Sequence, residues 1–155
     1  MVTLQPYRAS DEALVLEKIA SYFHPRDTRE TLLSWLEPQN ALYLIEKDGS
    51  AAGFLRLGYR GPNVAWLEDI FVDAHLRGQG IATQAIRVAE EIVRAMPGYT
   101  ALCLDVQPEN ENALRLYHHL GYDTLHLLRL RKNFDGGKPE AQTEVLGLPM
   151  FYEAI

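Results

Sequence analysis

Length, composition and charge restrict this chain to a small acidic protein. Its 155 residues, 47% of them hydrophobic, suffice for one substantial core, so we predict a single domain over residues 1–155. Fifteen basic and twenty-one acidic residues give a net charge of −6, which argues against nucleic acid as a main partner. Cys103 has no second cysteine to pair with, and no apolar run reaches the ~18 residues of a membrane span. We therefore expect a cytoplasmic protein with no membrane partner.

Hydrophobic periodicity predicts strands and helices along the whole chain. In chain order we expect a strand at 2–8, helices at 9–23 and 27–37, strands at 41–47, 51–60 and 63–72, a helix at 80–96, a strand at 100–106, a helix at 110–120, and strands at 123–134 and 143–155. This order predicts a mixed sheet covered by helices, the α/β (α+β) class.

Several residues mark where these elements begin, turn or end. Ser10 is the predicted N-cap of the first helix, and Asp27 or Thr28 that of the second. Asp48–Gly49 between two apolar runs predicts a tight hairpin. Pro149 cannot donate a ladder hydrogen bond, so it places the last strand at an edge or a bulge.

The stretch HLRGQGIAT, residues 75–83, places two glycines directly before a helix. A helix start has unpaired N–H groups and partial positive charge, and glycines let the backbone approach an anion closely. Arg77 could add charge-assisted bonds. The alternative is a tight turn that binds nothing. A Walker loop and a dinucleotide fingerprint are both excluded, because Gly80 is followed by Ile81-Ala82-Thr83 and no third glycine follows.

Two segments resemble the GNAT superfamily of acetyl-CoA-dependent N-acetyltransferases. Arg77, Gly80 and Ala82 match its Arg/Gln-x-x-Gly-x-Gly/Ala motif. A second family pattern is matched downstream by Asn110, Ala113, Tyr117, Gly121 and Tyr122. The resemblance implies a GNAT-like mixed, mostly antiparallel central sheet of about seven strands flanked by about four helices.

The resemblance also implies where acetyl-CoA binds. Its pyrophosphate is expected on a loop and helix start, and its pantetheine arm beside the end of a strand. The loop residues are Arg77, Gly78, Gln79, Gly80, Ile81, Ala82 and Thr83. The strand residues are Ile70, Phe71 and Val72. Asn110 would hold the coenzyme from the other side, and Ala113 in the same segment is also an expected coenzyme contact. Helix capping is the structural alternative for Asn110.

Glu68 is the candidate base. Strand alternation predicts Glu68 on one face and Asp69 on the other, each among apolar residues, where an unpaired charge is costly. Such a carboxylate is either paired and structural or a working group with a raised pKa. The resemblance favours Glu68 as the group that acts on the acceptor amine. A lysine-like amine of pKa ~10.4 needs about 4.6 kcal/mol to be neutral at pH 7.

Tyr117 is the candidate acid. It lies in an apolar helical stripe, so the alternative is an ordinary core tyrosine with a satisfied hydroxyl. The resemblance makes its hydroxyl the proton donor to the coenzyme sulfur. It also assigns a backbone N–H near Phe71 to the developing oxyanion.

The remaining residues give no metal-binding pattern and do not identify the acceptor amine. His118 and His119 are adjacent and diverge on a helix, and Cys103 is expected to be a core thiol, so we predict no metal.

Tyr22, Phe23 and His24 lie where the family binds its acceptor, with a structural aromatic cluster as the alternative. The acidic charge favours a small cationic amine. The alternatives are a protein or peptide N-acetyltransferase, acting on an N-terminus or a lysine, and a non-catalytic acyl-CoA-binding module. A homodimer stays open.

Overall fold

The computed structural model describes residues 1–23 and 27–153. They divide into two compact units, Met1–Asp105 and Val106–Ile155, and each unit is described by itself. The strands are β1 Val2–Pro6, β2 Asn40–Lys47, β3 Ser50–Gly58, β4 Val64–Val72, β5 Ala101–Leu104, β6 Ala141–Val145 and β7 Leu148–Tyr152, and the α-helices are α1 Glu12–Phe23, α2 Thr28–Trp35, α3 Ile81–Arg94 and α4 Glu111–His119. None of these helices within the described residues is long and apolar enough to span a membrane.

The first unit contains a five-stranded sheet in the order β1-β2-β3-β4-β5. Neighbouring strands are antiparallel from β1 to β4, and β5 is parallel to β4. The mixed, mostly antiparallel sheet and the four α-helices are confirmed. About seven strands were expected and seven are present, but within the described residues they form one five-stranded and one two-stranded sheet.

Helices cover both faces of the five-stranded sheet. On one face, α1 and α2 form a buried core with the central strands, made of Val15, Ile19, Leu32, Trp35, Leu42, Leu44, Phe54 and Phe71. Leu55 and Leu57 alternate with Phe54 and are also fully buried, so the opposite face is covered as well. The helix there is α3, which packs against β1, β4 and β5 through Ile81, Ala85, Ile86, Ala89 and Val93.

A buried ion pair joins α1 to the end of β4. Lys18 Nζ lies 2.6 Å from Oδ2 of Asp73, and the two side chains are 7% and 19% exposed. The N–H of Asp73 also donates to the carbonyl of Ala52. The residue directly after β4 is therefore held from two sides.

Two of the predicted turn and cap signals are confirmed and one is wrong. The Asp27 carboxylate accepts from the N–H groups of Arg29 and Glu30, so it caps α2. Asp48 and Gly49 both have positive φ, 51° and 82°, in the turn between β2 and β3. Ser10 is not the N-cap of the first helix, because a short 3₁₀ turn begins after Arg8. There, the Asp11 carboxylate accepts from the Arg8 N–H.

The second unit differs most from the predicted elements. Residues 123–134 form no strand. The single strand expected at 143–155 is instead the antiparallel hairpin β6–β7, turning at Leu146 and Gly147, whose φ angles are 52° and 78°. Pro149 lies in this two-stranded sheet, where both strands are edges, as its missing N–H requires.

Candidate functional site

The loop between β4 and α3 owes its shape to two glycines. Gly78 and Gly80 have φ angles of 75° and 74°, the left-handed region that strongly favours glycine. Gly80 is the N-cap of α3, and its carbonyl accepts the N–H of Gln84 to begin the helix. The two left-handed residues turn the chain sharply from the strand into the helix.

The backbone of this loop presents a run of donors. In residues 1–23 and 27–153, no group accepts a hydrogen bond from the backbone N–H groups of Gly78, Gln79, Gly80, Ile81, Ala82 and Thr83. Gly78, Gln79 and Gly80 are exposed. Free N–H groups at the positive end of a helix form an anion site of the kind that binds phosphates.

Arg77 ties this loop to the end of β4. Its Nε donates to the carbonyl of Val72 at 2.9 Å, and its guanidinium lies 5.6 Å from the centre of the Phe71 ring. One donor of the guanidinium is therefore used within the protein. The interaction fixes the distance between the anion-binding loop and the strand that precedes it.

β4 and β5 separate beside this loop. The two strands pair from Val64 opposite Ala101 to Leu67 opposite Leu104, and their pairing ends there. β4 itself continues to Val72, and Ile70, Phe71 and Val72 pair with β3 on one side. Their other edge, on the side of β5, has no strand beside it within the described chain. An unpaired strand edge offers backbone N–H and C=O groups to an extended ligand.

A β-bulge in β4 changes the predicted arrangement of the two carboxylates. Arg56 of β3 pairs with Asp69 and Leu57 pairs with Leu67, so Glu68 is an extra residue with no partner on β3. Glu68 fills the space beside Gly58, and Gly58 lies two residues from Arg56 on the same face of β3. The expectation that Glu68 and Asp69 lie on opposite faces is wrong, because the bulge shifts the alternation by one residue.

Arg60 holds the Glu68 carboxylate with two donors. Its Nε lies 2.5 Å from Oε1, and its Nη2 donates to Oε2 at 2.9 Å. The same guanidinium lies 4.4 Å from the centre of the Trp66 ring. Neither Arg60 nor Gly58 is among the site residues predicted from the sequence. A glycine inside an apolar strand was the available signal for Gly58, because it often marks a close approach by another group.

Asp69 belongs to a more buried ion pair. Nε and Nη2 of Arg56 lie 2.7 and 2.6 Å from Oδ2 of Asp69, and Arg56 Nη1 donates to the Asn40 side chain at 3.0 Å. The Arg56 guanidinium also lies 5.0 Å from the centre of the Trp35 ring. Asp69 is thus a paired carboxylate that joins β4 to β3.

The second unit carries the downstream candidates on α4. Asn110 is the N-cap of this helix, and its side-chain oxygen accepts the Ala113 N–H at 3.2 Å. The capping alternative for Asn110 is therefore observed. Tyr117 is half-buried and packs edge-to-face on Tyr122, with ring centres 6.0 Å apart. Burial raises the pKa of Tyr117 above its usual 10, so its hydroxyl holds its proton at neutral pH.

Among the remaining predicted residues, Tyr22 and Phe23 pack against other aromatic side chains. Tyr22 packs 5.9 Å from the Phe71 ring centre, and Phe23 packs 6.2 Å from that of Trp35, forming an aromatic cluster. His24 lies outside the described residues.

Cys103 is half-buried, and burial raises the pKa of its thiol. Among the residues that the structure describes, no group of three or more His, Cys, Asp or Glu side chains is placed to hold a metal ion.

The sequence matches one family model. Residues 9–122 match the acetyltransferase (GNAT) family, a range that includes the glycine loop, β4 and α4. Comparison with curated proteins gives no significant match.

Solved structures with the same fold include several transferases. Aminoglycoside N-acetyltransferase AAC(6')-Iy in complex with CoA is 18% identical with a TM-score of 0.71, over 86% of this chain and 95% of that one. Ribosomal-protein-alanine N-acetyltransferase from Brucella melitensis biovar Abortus 2308 is 18% identical with a TM-score of 0.69, over 85% and 99%. A transcriptional regulator from Bacillus halodurans C-125 is 21% identical with a TM-score of 0.68, over 86% and 100%.

Proposed function

The chain belongs to the acetyltransferase (GNAT) family, and from this premise we propose that it transfers the acetyl group of acetyl-CoA to a primary amine of a small cationic molecule. Acetyl-CoA is the acyl donor of this family. The observation that carries the proposal is the run of free N–H groups from Gly78 to Thr83 beside the unpaired end of β4.

In the proposed complex the loop binds the coenzyme pyrophosphate through its backbone donors. Arg77, exposed beside the loop, supplies positive charge with the guanidinium donors that Val72 does not use. The pantetheine arm lies along Ile70, Phe71 and Val72, where its amides can pair with a strand edge. Asn110 and Ala113 are proposed as further coenzyme contacts because they match the second segment of the family pattern.

The amine attacks the thioester carbonyl, so a C–N bond forms and the C–S bond breaks. The attacking species is the neutral amine, which costs about 4.6 kcal/mol to form at pH 7 from an ammonium group of pKa ~10.4. Glu68 accepts the proton that the nitrogen loses as the C–N bond forms. A backbone N–H near Phe71 donates to the oxyanion. Tyr117 donates its proton to the departing sulfur. This transfer is uphill by about 2 kcal/mol between a phenol of pKa ~10 and a thiol of pKa ~8.5, and by more for Tyr117, because burial raises the pKa of its hydroxyl.

The acceptor class is proposed from charge. The chain has a net charge of −6, and Glu68 and Asp69 lie on the same face of the sheet as α1 and α2. Small cationic amines are attracted to a chain of this net charge. Structural neighbours include one named for an aminoglycoside and one named for a ribosomal-protein alanine. A protein or peptide N-acetyltransferase is therefore the alternative to test.

The experiment is thiol release from acetyl-CoA by the purified chain with polyamines, amino acids and short peptides. We expect turnover with polyamines, and we expect Glu68→Gln to reduce it by about 100-fold, the lower end of the contribution of a positioned acid or base. Glu91→Gln, which changes an exposed carboxylate on α3, is the matched control. Turnover only with peptides would favour the alternative. Binding of acetyl-CoA without any turnover would favour a non-catalytic module.

A further inference from the structure

Two arginine–carboxylate–tryptophan sets lie on the sheet surface that faces α1 and α2. In one, Arg56 pairs with Asp69 and lies over Trp35. In the other, Arg60 pairs with Glu68 and lies over Trp66. Each set places a guanidinium between a carboxylate and an aromatic ring, an arrangement that binds cations through charge-assisted hydrogen bonds and the negative face of the ring.

The two sets differ in how firmly the arginine is held. The Arg56 and Asp69 side chains are 16% and 13% exposed, and Arg56 also donates to Asn40. Arg60 is 47% exposed beside a Glu68 that is 16% exposed. It follows the end of β3, in the loop that leads to β4. A half-exposed arginine on a loop can leave its carboxylate for water at little cost, whereas a buried one cannot.

We propose that Trp66 and Glu68 form a cation-binding subsite, which Arg60 fills in the free protein and yields to an external guanidinium or alkylammonium group. Gly58 provides the room, because any side chain at this position would overlap the Glu68 carboxylate. The carboxylate fork and the ring face are both already directed at a cation. The identification of this external cation with the acceptor of acetyl transfer rests on the proposed function.

This subsite discriminates between ligands by charge and by nucleophilicity. An alkylammonium group that replaces Arg60 lies against the proposed base and can lose a proton to it. A guanidinium group reproduces the contacts of Arg60 but stays protonated, since its pKa is above ~12. Small guanidinium compounds are therefore expected to inhibit in competition with the acceptor and not to be acetylated.

The test measures binding without requiring turnover. The chain has two tryptophans, so ¹⁵N-labelled protein gives two indole N–H signals, which Trp66→Phe assigns. Methylguanidinium is added to the wild-type chain and to Arg60→Gln, with uncharged methylurea as the ligand control. We expect the Trp66 signal of Arg60→Gln to shift with a Kd about fivefold lower than in the wild type, because the competing arginine is gone. Arg94→Gln, at an exposed ion pair on α3, should bind like the wild type.

Specific outcomes would overturn the proposal. The double variant that carries both Arg60→Gln and Glu68→Gln must not bind methylguanidinium. Retained binding in the double variant would exclude the subsite. Equal shifts with methylurea, or equal Kd values for the wild type and Arg60→Gln, would also exclude it. Arg60→Met replaces Arg60→Gln if the latter does not fold. Absence of acetyl transfer to every amine would overturn the proposed function and leave methylguanidinium binding as observed, so the two failures are distinguishable.

Discussion

The Glu68 side chain occupies the space that a Cβ atom on Gly58 would fill. The position of that missing atom would overlap Oε1 and come within 3.0 Å of the Cγ and Cδ atoms of Glu68. Gly58 itself has no positive φ, so its backbone would accept another residue. The glycine is therefore required by the carboxylate beside it and not by its own conformation.

Gly58→Ala should displace Glu68 from Arg60 without removing either charge. We expect the free energy of unfolding to fall by about 1–2 kcal/mol through overpacking, and kcat/KM for the acceptor amine to fall about tenfold. The measurements are urea unfolding and steady-state kinetics. Gly61→Ala is the control, because a Cβ there meets no atom within 4 Å. Unchanged acceptor kinetics in Gly58→Ala would contradict a working role for Glu68.

Tyr117→Phe should lower kcat about 100-fold and change KM for acetyl-CoA little, since the lost group acts on the departing sulfur. Burial raises the pKa of Tyr117 above 10, and a proton donor must be protonated to act. The wild type should therefore show no loss of kcat from this group below about pH 10. A pH profile of kcat for both proteins tests this, with Tyr99→Phe as the control. A kcat in Tyr117→Phe equal to that of the wild type would remove the assigned role.

Gly80→Ala should weaken coenzyme binding through the backbone alone. A Cβ at this position meets only the end of the Gln84 side chain, at 3.9 Å, so steric overlap is not the cause. A left-handed alanine costs about 1–2 kcal/mol, and we expect a similar loss of unfolding free energy and a higher KM for acetyl-CoA. Gly80→Asn, which tolerates the left-handed region better, should lie between alanine and the wild type. The reverse order would argue against a conformational requirement.

Lys18→Met should be the most destabilising of these substitutions, because it leaves the Asp73 carboxylate unpaired in a largely buried position. Removing one partner of a buried ion pair costs about 3–5 kcal/mol, which urea unfolding can measure. Lys18→Met combined with Asp73→Leu should recover much of this loss. Arg115→Ala, which breaks an exposed pair 3.5 Å long with Glu111, should cost less than about 1 kcal/mol. Similar losses for Lys18→Met and Arg115→Ala would show that the Lys18 pair contributes little.

The stability of the protein should fall in alkaline solution partly because of Tyr59. Burial, with smaller contributions from Tyr43 and Tyr99, raises the pKa of Tyr59 to about 12. A raised pKa means that the folded state holds the proton more tightly than the unfolded chain, whose tyrosine titrates near 10. The stability linked to Tyr59 is thus complete below pH 10 and is lost as pH rises from 10 towards 12. Urea midpoints measured across this range should fall less steeply for Tyr59→Phe than for the wild type.

Local signals in the sequence identified most of the first unit. The alternation of apolar residues located β2, β3 and β4, and Asp48–Gly49 identified their first turn, because these residues are common where φ is positive. The motif of glycines before α3 likewise identified a loop whose φ angles only glycine adopts readily. In these places one local preference determines the local structure.

The sequence was less informative where structure depends on contacts between distant residues. The bulge at Glu68 leaves no mark in the alternation of apolar residues, because it is defined by pairing with β3. The pairs of Glu68 with Arg60 and of Asp69 with Arg56 follow from that pairing. The turn at Leu146–Gly147 was missed because leucine is an unusual residue at positive φ. Its neighbours therefore resembled one continuous strand.

The bulge makes residue 68 a position of β4 at which a deletion preserves the faces of the strand. Deleting residue 68 would let Leu67 and Asp69 pair with consecutive residues of β3 in regular alternation. Phe71, which is 6% exposed in the core, would then keep its present face. In a library of variants, substitution or deletion of residue 68 should therefore give folded protein. Single-residue insertions within β4 should be lost, because a slip of one residue turns every side chain beyond it to the other face of the sheet.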